Sequence, residues 1–180
     1  MQQWLKGIRE SAGGFKNTRV MVTSAMLLAL SVVLNATVAI YLSTSSRITF
    51  GLLAIAVCGY LFGPSPAMLI AALSDILVTL LRPVGPYFPG YTLTAALSGL
   101  VYGLAFYQKE VKLPRVLLAQ AVVSVLLNLA LNTLWAVLVQ GRALAAILPI
   151  RLLANSIGYL VYIAALFPML LFIKRQFHRA

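Results

Sequence analysis

The sequence predicts an all-α membrane protein with six transmembrane helices, and three observations carry this prediction. Of its 180 residues 62% are apolar and only 9% are charged, with a mean hydropathy of +0.97, whereas a soluble domain has about 25% charged residues. The apolar residues form several runs, the longest of them sufficient to cross ~30 Å of hydrocarbon. The basic residues lie mainly at the ends of these runs, where they orient a membrane protein.

The distribution of basic residues predicts that both termini are cytoplasmic (N-in, C-in). With that orientation ten of the 14 Lys and Arg residues lie on the cytoplasmic side and four lie outside, which is the expected positive-inside bias. The net charge of +11 then reflects topology and contact with anionic lipid rather than nucleic-acid binding, which we exclude. The four outer arginines are Arg47, Arg82, Arg142 and Arg151.

Three parts of the chain follow from this pattern. Residues 1–19 are predicted to be a cytoplasmic segment whose apolar and basic residues suit an interfacial helix, 20–173 the six-helix transmembrane domain, and 174–180 a basic cytoplasmic tail. Between spans one and two, residues 43–47 are predicted to be a loop. The predicted spans are 20–42, 48–62, 67–81, 91–107, 116–139 and 144–173.

The first four spans differ in their small residues and in their lengths. Ala25 and Ala29 lie four residues apart in span one, and small residues at this spacing let another helix approach closely. Spans two and three are shorter than the ~20 residues of an ordinary span, which suits helices that line a cavity. The Gly99-x-x-x-Gly103 pattern in span four predicts close helix packing.

Spans five and six each carry a polar stripe. In span five the stripe ends at Trp135, and in span six it begins at Arg151 and continues through Asn155. Steps of three and four residues place each stripe on one helix face. Interhelical hydrogen bonds of ~0.6 kcal/mol each would explain one or two such residues, so the longer stripe favours a polar cavity. Besides Trp135, the stripe in span five consists of Gln120, Ser124, Asn128 and Asn132.

Asp75 is the one acidic residue deep inside an apolar run. A charged side chain at the centre of a bilayer costs ~2.5–3.5 kcal/mol on insertion scales, so it persists with a partner or a function. The alternative to ligand binding is a buried carboxylate satisfied by hydroxyls and amides of neighbouring helices. Two turns later comes Arg82, followed by a Pro/Gly-rich loop with Tyr87 and Phe88.

Several kinds of chemistry are absent from the sequence. One cysteine, Cys58, and one histidine, His178, cannot build a disulfide, a zinc cluster or a cysteine–histidine pair. No Walker-type phosphate loop is present, so the chain is not its own ATPase. No nucleophile is paired with a base, so we predict that the protein is not an enzyme and has no cofactor.

The outer half of the bundle therefore collects cations, aromatic rings and amides, with one carboxylate at depth. Such a set suits a pocket for a flat, anionic, heteroaromatic molecule. Arg142 is interpreted as an anchor at a span end. The candidate binding residues are Arg47, Asp75, Arg82, Tyr87, Phe88, Asn128, Asn132, Trp135, Arg151 and Asn155.

Three segments, RITFGLLAIAVCGYLFGP (47–64), SDILVTLLRPVGPYFPGYTLTAALSGLVYGLAFY (74–107) and LNTLWAVLVQG (131–141), resemble the folate-type substrate-binding subunit, or S-component, of energy-coupling factor (ECF) vitamin transporters. The resemblance implies a multi-pass protein of the bacterial cell membrane that captures a vitamin from outside. It implies docking on a transmembrane coupling subunit and two ATPase subunits, which use the ATP. Ala25 to Ala29 matches the small-residue motif for contact with the coupling subunit.

This resemblance leads to a hypothesis for the ligand contacts. Asp75 would accept hydrogen bonds from the aminopyrimidine edge of a pterin. Tyr87, Phe88 or Trp135 would stack on the ring, and Arg47, Arg82 or Arg151 would meet the glutamate carboxylates. Asn128, Asn132 and Asn155 would complete the polar edge.

The sequence departs from the family pattern near the proposed pocket. Ala54 stands where proline is usual in the family. A basic residue is expected between Arg151 and Asn155, but the chain has none there. Residues 158–167 lack a proline and a glutamate that the family pattern predicts. An S-component for another vitamin or precursor (cobalamin, pantothenate or a queuosine precursor) therefore stays open. A freestanding transporter is disfavoured because no internal repeat is present.

Overall fold

The computed structural model describes residues 17–43, 46–83, 87–140 and 144–177. The predictions made for residues 1–16, for Arg142 and for the last three residues of the tail lie outside the described residues. The same holds for the side chains of residues 39–48, among them Arg47.

Helices make up most of the described chain, which confirms the helical fold class. Between the helices Leu113–Val122 and Asn132–Gln140 the chain is π-helical over Val123–Leu131, so that residues 113–140 form one continuous rod. The predicted span boundaries agree with these helices to within a few residues at most ends. The helices are α1 (Thr18–Thr37), α2 (Gly51–Phe62), α3 (Pro64–Leu81), α4 (Pro89–Phe106), α5 (Leu113–Val122), α6 (Asn132–Gln140) and α7 (Leu144–Phe177).

A short antiparallel hairpin between α1 and α2 was not predicted. Its strands are β1 (Ala39–Ser43) and β2 (Ser46–Thr49), with Ala39 opposite Thr49. The sequence pattern predicts a loop at 43–47 and a second helix from residue 48, whereas α2 begins at Gly51. The strands are rich in Ile, Tyr and Thr, residues that favour extended structure, so this local preference outweighs continuation of the flanking helices.

Four helical segments of the described chain are long and apolar enough to cross a membrane: Thr18–Thr37, Pro64–Leu81, Leu113–Val139 and Arg151–Arg175. The helix α2 is apolar but has only 12 residues. Its shortness agrees with the prediction that span two is short.

The predicted close packing of the Gly99-x-x-x-Gly103 motif is confirmed. A side chain at Gly99 would collide with the backbone carbonyl of Ala67, and one at Gly103 would collide with Pro64. Both contacts join α4 to α3, so these two helices approach each other along their backbones. The chain turns sharply from α2 into α3 at Gly63, whose φ of 94° favours glycine.

The first half of the polar stripe on residues 113–140 belongs to the packed core. The Gln120 carbonyl oxygen accepts a hydrogen bond of 2.6 Å from the Tyr102 hydroxyl, and its amide donates to Ser124 at 3.2 Å. Tyr102, Gln120 and Ser124 are all buried. The expectation of a polar cavity along the whole stripe is therefore wrong for Gln120 and Ser124, because Gln120 bonds Tyr102 of α4 and Ser124 bonds Gln120 within the packed core.

Candidate functional site

The beginning of α4 forms the centre of the candidate site, where three aromatic rings meet. The Phe88 ring lies 5.4 Å from the Trp135 ring, tilted by 53°, and 6.2 Å from the Tyr91 ring in an edge-on arrangement. We call these three residues the aromatic cluster. Gly90 is buried beneath it, and a side chain there would collide with Phe88 and lie 2.8 Å from Trp135 Cδ2. Only glycine therefore lets the two rings pack at this place.

Asp75 is joined to α4 by a directed chain of hydrogen bonds. Thr92 Oγ1 donates to Asp75 Oδ2 at 2.8 Å, and the Tyr87 hydroxyl lies 3.1 Å from Thr92 Oγ1. Because a threonine hydroxyl has a single proton, which Thr92 gives to Asp75, the Tyr87 hydroxyl is the donor to Thr92. The half-buried carboxylate on α3 is thereby coupled to Tyr87, whose side chain is 51% exposed.

Trp135 is oriented by a second hydroxyl of α4. Its indole N–H donates to Thr94 Oγ1 at 3.1 Å, while the Thr94 hydroxyl donates to the Gly90 carbonyl at 3.0 Å. A tryptophan N–H in an apolar site needs such a partner. This bond fixes one edge of the indole and with it the face that packs on Phe88.

Arg151 is the buried cation of the site, with 9% of its surface exposed. Its Nη1 donates to Thr133 Oγ1 at 3.3 Å, and its guanidinium interacts electrostatically with the Tyr91 side chain. Its buried Nε has no hydrogen-bond partner among the described residues. Since buried polar atoms are nearly always paired, an acceptor that approaches Arg151 finds an unused donor.

Asn132 presents the complementary case. Its amide nitrogen donates to Asn128 Oδ1 at 3.3 Å, but its own buried Oδ1 accepts no hydrogen bond from the described residues. Asn132 lies where the π-helical segment ends, and its backbone N–H donates to the Leu127 carbonyl, five residues earlier. Such segments are frequent at functional sites, and this one sets the rotation of α6, which carries Asn132, Thr133 and Trp135.

The structure gathers most of the predicted binding residues around the start of α4. Asp75, Tyr87, Phe88, Trp135 and Arg151 are connected through direct contacts or a single shared neighbour, and Asn128 with Asn132 flank them on the 113–140 rod. Their roles in binding stay predictions.

Other predicted residues lie apart from this group or are placed only by their backbone. Arg82 is exposed at the end of α3, and Asn155 is half-buried one turn beyond Arg151. Arg47 lies in β2, opposite Tyr41. Ala25 and Ala29 are exposed on α1.

Sequence reasoning missed the residues that organise the site: Gly90, Tyr91, Thr92, Thr94 and Thr133. The run PGYTLT (89–94), directly after the aromatic loop, was the available signal. That signal is weak, because a helical threonine usually bonds a carbonyl of its own helix, as Thr79 does with Asp75. Only the arrangement of the helices shows which hydroxyls reach another helix.

The helical membrane fold, the buried cation, the half-buried carboxylate and the aromatic cluster define a membrane-embedded protein built to bind a small polar ligand. A family model, the ECF transporter substrate-specific component, matches residues 19–173. The chain therefore belongs to the family of substrate-specific components of ECF transporters. These are transport proteins, which agrees with the prediction that the chain is not an enzyme.

Two curated relatives are both folate transporters FolT. That of Clostridium novyi is 36% identical over 147 residues, covering 82% of this chain and 85% of the relative. That of Leuconostoc mesenteroides is 33% identical over 130 residues, covering 71% and 68%. A crystal structure of FolT bound with folic acid superposes with a TM-score of 0.78 at 35% identity, covering 84% of this chain and 92% of the other.

Proposed function

We propose that this protein is the folate-binding component of an ECF-type importer, which captures folate outside the cell and delivers it through an energising module. The observation that carries the proposal is a pair of buried atoms beside the aromatic cluster, Arg151 Nε and Asn132 Oδ1, that have no hydrogen-bond partner among the described residues. One offers a charged donor and the other an acceptor, so a ligand with both anionic and N–H groups complements them.

Folate has the chemical groups that this arrangement needs. Its flat pterin suits the rings of Phe88 and Trp135, and its N–H groups suit the carboxylate of Asp75. Thr92 donates a hydrogen bond to Asp75 Oδ2, and an ionised carboxylate has about four acceptor positions in all. The guanidinium of Arg151 then suits a carboxylate of the glutamate tail.

The choice of folate over another vitamin rests on the relatives. Two of them are named folate transporters, and the similar crystal structure contains folic acid. The departures at Ala54, after Arg151 and in 158–167 keep a different vitamin as the alternative outcome of a direct binding test.

The proposed membrane arrangement uses all the helical rods. The rod 113–140 counts as one span, and with α1, α2, α3, α4 and α7 it makes six. Both termini then lie in the cytoplasm of a bacterial cell. The end of α7 fits this orientation, since Lys174 and Arg175 occupy its last turn. Residues 20–173 would be the transmembrane domain, preceded by a cytoplasmic segment and followed by a basic tail.

The proposed partners are a transmembrane coupling subunit and two ATPase subunits that hydrolyse ATP. Ala25 and Ala29 are exposed on α1, and small residues four apart let a partner helix approach closely. Co-purification of these three partner chains with the tagged protein would support this part, and its isolation with none of them would contradict it.

The ligand assignment is tested by measuring the folate dissociation constant of the purified protein in lipid nanodiscs. Asp75→Asn keeps the shape but replaces an acceptor oxygen by an N–H₂ donor. A hydrogen bond to a charged group contributes about 1.5–3 kcal/mol, so we expect affinity to fall roughly 10- to 100-fold. Equal affinity of Asp75→Asn and the wild type would contradict the role of Asp75.

Glu110→Gln is the matched control, because it also removes one carboxylate. Glu110 is exposed in the loop before α5, with Lys112 Nζ 2.9 Å away. The hydrogen bond from Lys112 lowers the pKa of Glu110, so it too is ionised at neutral pH. We expect this variant to bind folate like the wild type. A wild-type protein that ignores folate but retains another vitamin, identified by mass spectrometry, would overturn the folate assignment.

A further inference from the structure

The end of the hairpin is attached to α7 by one tyrosine side chain. The Tyr162 hydroxyl accepts a hydrogen bond from the Thr49 N–H at 3.2 Å and donates one to the Thr49 carbonyl at 2.7 Å. A single hydroxyl thus pairs both backbone groups of one residue that lies 113 positions away in the sequence.

These two bonds reveal how β2 is oriented. Thr49 is opposite Ala39 in the hairpin, and antiparallel residues alternate between pairs that exchange backbone hydrogen bonds and pairs that do not. Since both backbone groups of Thr49 bond Tyr162, Thr49 belongs to a pair that does not exchange backbone hydrogen bonds. Its backbone N–H and carbonyl point toward α7 instead. Unpaired backbone groups away from water cost several kcal/mol. Tyr162 therefore takes the place of a neighbouring strand.

The start of α2, two residues later, is held by side chains of α1. Asn35 Oδ1 accepts from the Gly51 N–H at 3.1 Å, and Ser31 Oγ donates to the Gly51 carbonyl at 3.1 Å. A side chain at Gly51 would collide with Asn35. Asn35 thus caps α2 from another helix, a role that a residue of the same segment usually fills.

The same network reaches α3 beside the candidate site. Ser74 Oγ lies 2.9 Å from Ser31 Oγ and accepts from Asn35 Nδ2 at 3.4 Å, and Ser74 immediately precedes Asp75. Residues 49–51 are consequently fixed between α1 and α7, and the position of β2 is set relative to the helices that carry Asp75 and Arg151.

We propose that Tyr162 is a positioning residue for ligand binding. By pairing the backbone of Thr49, it fixes β2 on α7 and thereby sets where Arg47, two residues earlier on the strand, stands relative to the bound anion. This inference rests on the proposed function, because it assumes that Arg47 meets a carboxylate of folate. It adds a residue that contacts neither the aromatic cluster nor Asp75 in the bonds described above.

The test compares two tyrosine-to-phenylalanine variants of the same helix. Tyr162→Phe removes both bonds to Thr49. Tyr159→Phe is the control, since its hydroxyl also donates to a backbone carbonyl, that of Leu117 at 3.3 Å, but it joins α7 to α5. We expect Tyr162→Phe to weaken folate binding about 10-fold, with faster dissociation, and Tyr159→Phe to leave it unchanged. Equal effects of the two variants would overturn the proposal.

A double-mutant cycle with Arg47→Gln separates positioning from general loosening of the fold. If Tyr162 acts through Arg47, then Tyr162→Phe should weaken binding by less than 2-fold in the Arg47→Gln background, compared with about 10-fold alone. Effects that multiply independently would show that Tyr162 does not act through Arg47. Arg47→Gln without any effect of its own would overturn the proposal as well.

A ligand-free measurement keeps this inference distinct from the proposed function. Amide hydrogen exchange at Thr49 should become faster in Tyr162→Phe and remain at the wild-type rate in Tyr159→Phe. If the wild type binds no folate, the proposed function fails and the positioning role for this ligand fails with it, while faster exchange still supports the attachment of β2. Unchanged exchange in Tyr162→Phe overturns the attachment whatever the binding data show.

Discussion

Thr92→Val is the sharpest test of the candidate site, because it removes one hydroxyl and little else. The valine side chain has nearly the same shape, but it can neither donate to Asp75, 2.8 Å away, nor accept from Tyr87 at 3.1 Å. The variant therefore lacks both hydrogen bonds that connect the exposed Tyr87 to the half-buried Asp75. Asp75 keeps its carboxyl group and loses the hydrogen bond from Thr92.

The expected magnitude lies between two limits. A hydrogen bond to a charged group contributes about 1.5–3 kcal/mol in water-soluble proteins. Interhelical hydrogen bonds in a membrane average ~0.6 kcal/mol and reach ~1.7. The half-buried setting of Asp75 favours a loss of about 1–2 kcal/mol, which corresponds to a decrease in folate affinity of roughly 5- to 30-fold. The free energy of unfolding should fall by less than the free energy of folate binding, because only one hydrogen bond between α3 and α4 is lost.

The assay is folate binding in nanodiscs together with a thermal melt of each variant. Thr92→Ser restores the hydroxyl and should bind within about 3-fold of the wild type, a change of less than 1 kcal/mol. Thr37→Val is the control, because its hydroxyl donates only to the Val33 carbonyl of its own helix, at 2.7 Å. The reasoning is refuted if Thr92→Val binds as tightly as the wild type, or if Thr92→Ser loses as much affinity as Thr92→Val.

Two further predictions concern stability rather than the ligand. Gly103→Ala should lower the free energy of unfolding by about 1–3 kcal/mol. The added carbon would collide with the backbone of Pro64, which cannot move away as a flexible side chain could. An unchanged melting temperature would contradict the close packing of α4. Gln120→Leu should destabilise by about 1–3 kcal/mol, because the buried Tyr102 hydroxyl loses its 2.6 Å acceptor, yet folate affinity should stay unchanged. A marked loss of affinity in that variant would place Gln120 in the binding site after all.

The polar stripe shows how far sequence reasoning reached. The four-residue spacing correctly indicated that Gln120 and Asn132 have special environments, but it cannot separate a packed face from a site. In the structure both polar atoms of the Gln120 side chain are hydrogen-bonded within the core, whereas the Asn132 oxygen remains without a partner among the described residues. The difference arises from Tyr102, which reaches Gln120 from another helix.

For Asp75 the two interpretations weighed from the sequence are not exclusive. The structure supplies a hydroxyl donor, as the alternative required, but that donor is Thr92 and leads through Tyr87 to an exposed surface. A carboxylate that is oriented by a hydrogen bond and lies near an exposed surface suits ligand binding. The sequence contained Thr92 as a residue of α4 but gave no sign that its hydroxyl points across to α3.

By itself, the sequence determined the membrane environment, the helical fold class, the approximate helix bounds and the close packing of Gly99 and Gly103. These features depend on composition and local periodicity, which a single chain displays directly. It also placed the candidate residues on helix faces.

The tertiary structure decided which of those faces meet. The bonds that build the site and its surroundings join residues 17, 41 and 113 positions apart: Asp75 with Thr92, Thr94 with Trp135, and Thr49 with Tyr162. The hairpin and the π-helical segment shift the rotation and register of the helices that follow them. Periodicity fixes the direction of a side chain relative to its own helix axis, whereas the rotation of one helix against another is set by backbone contacts that exist only in the packed bundle.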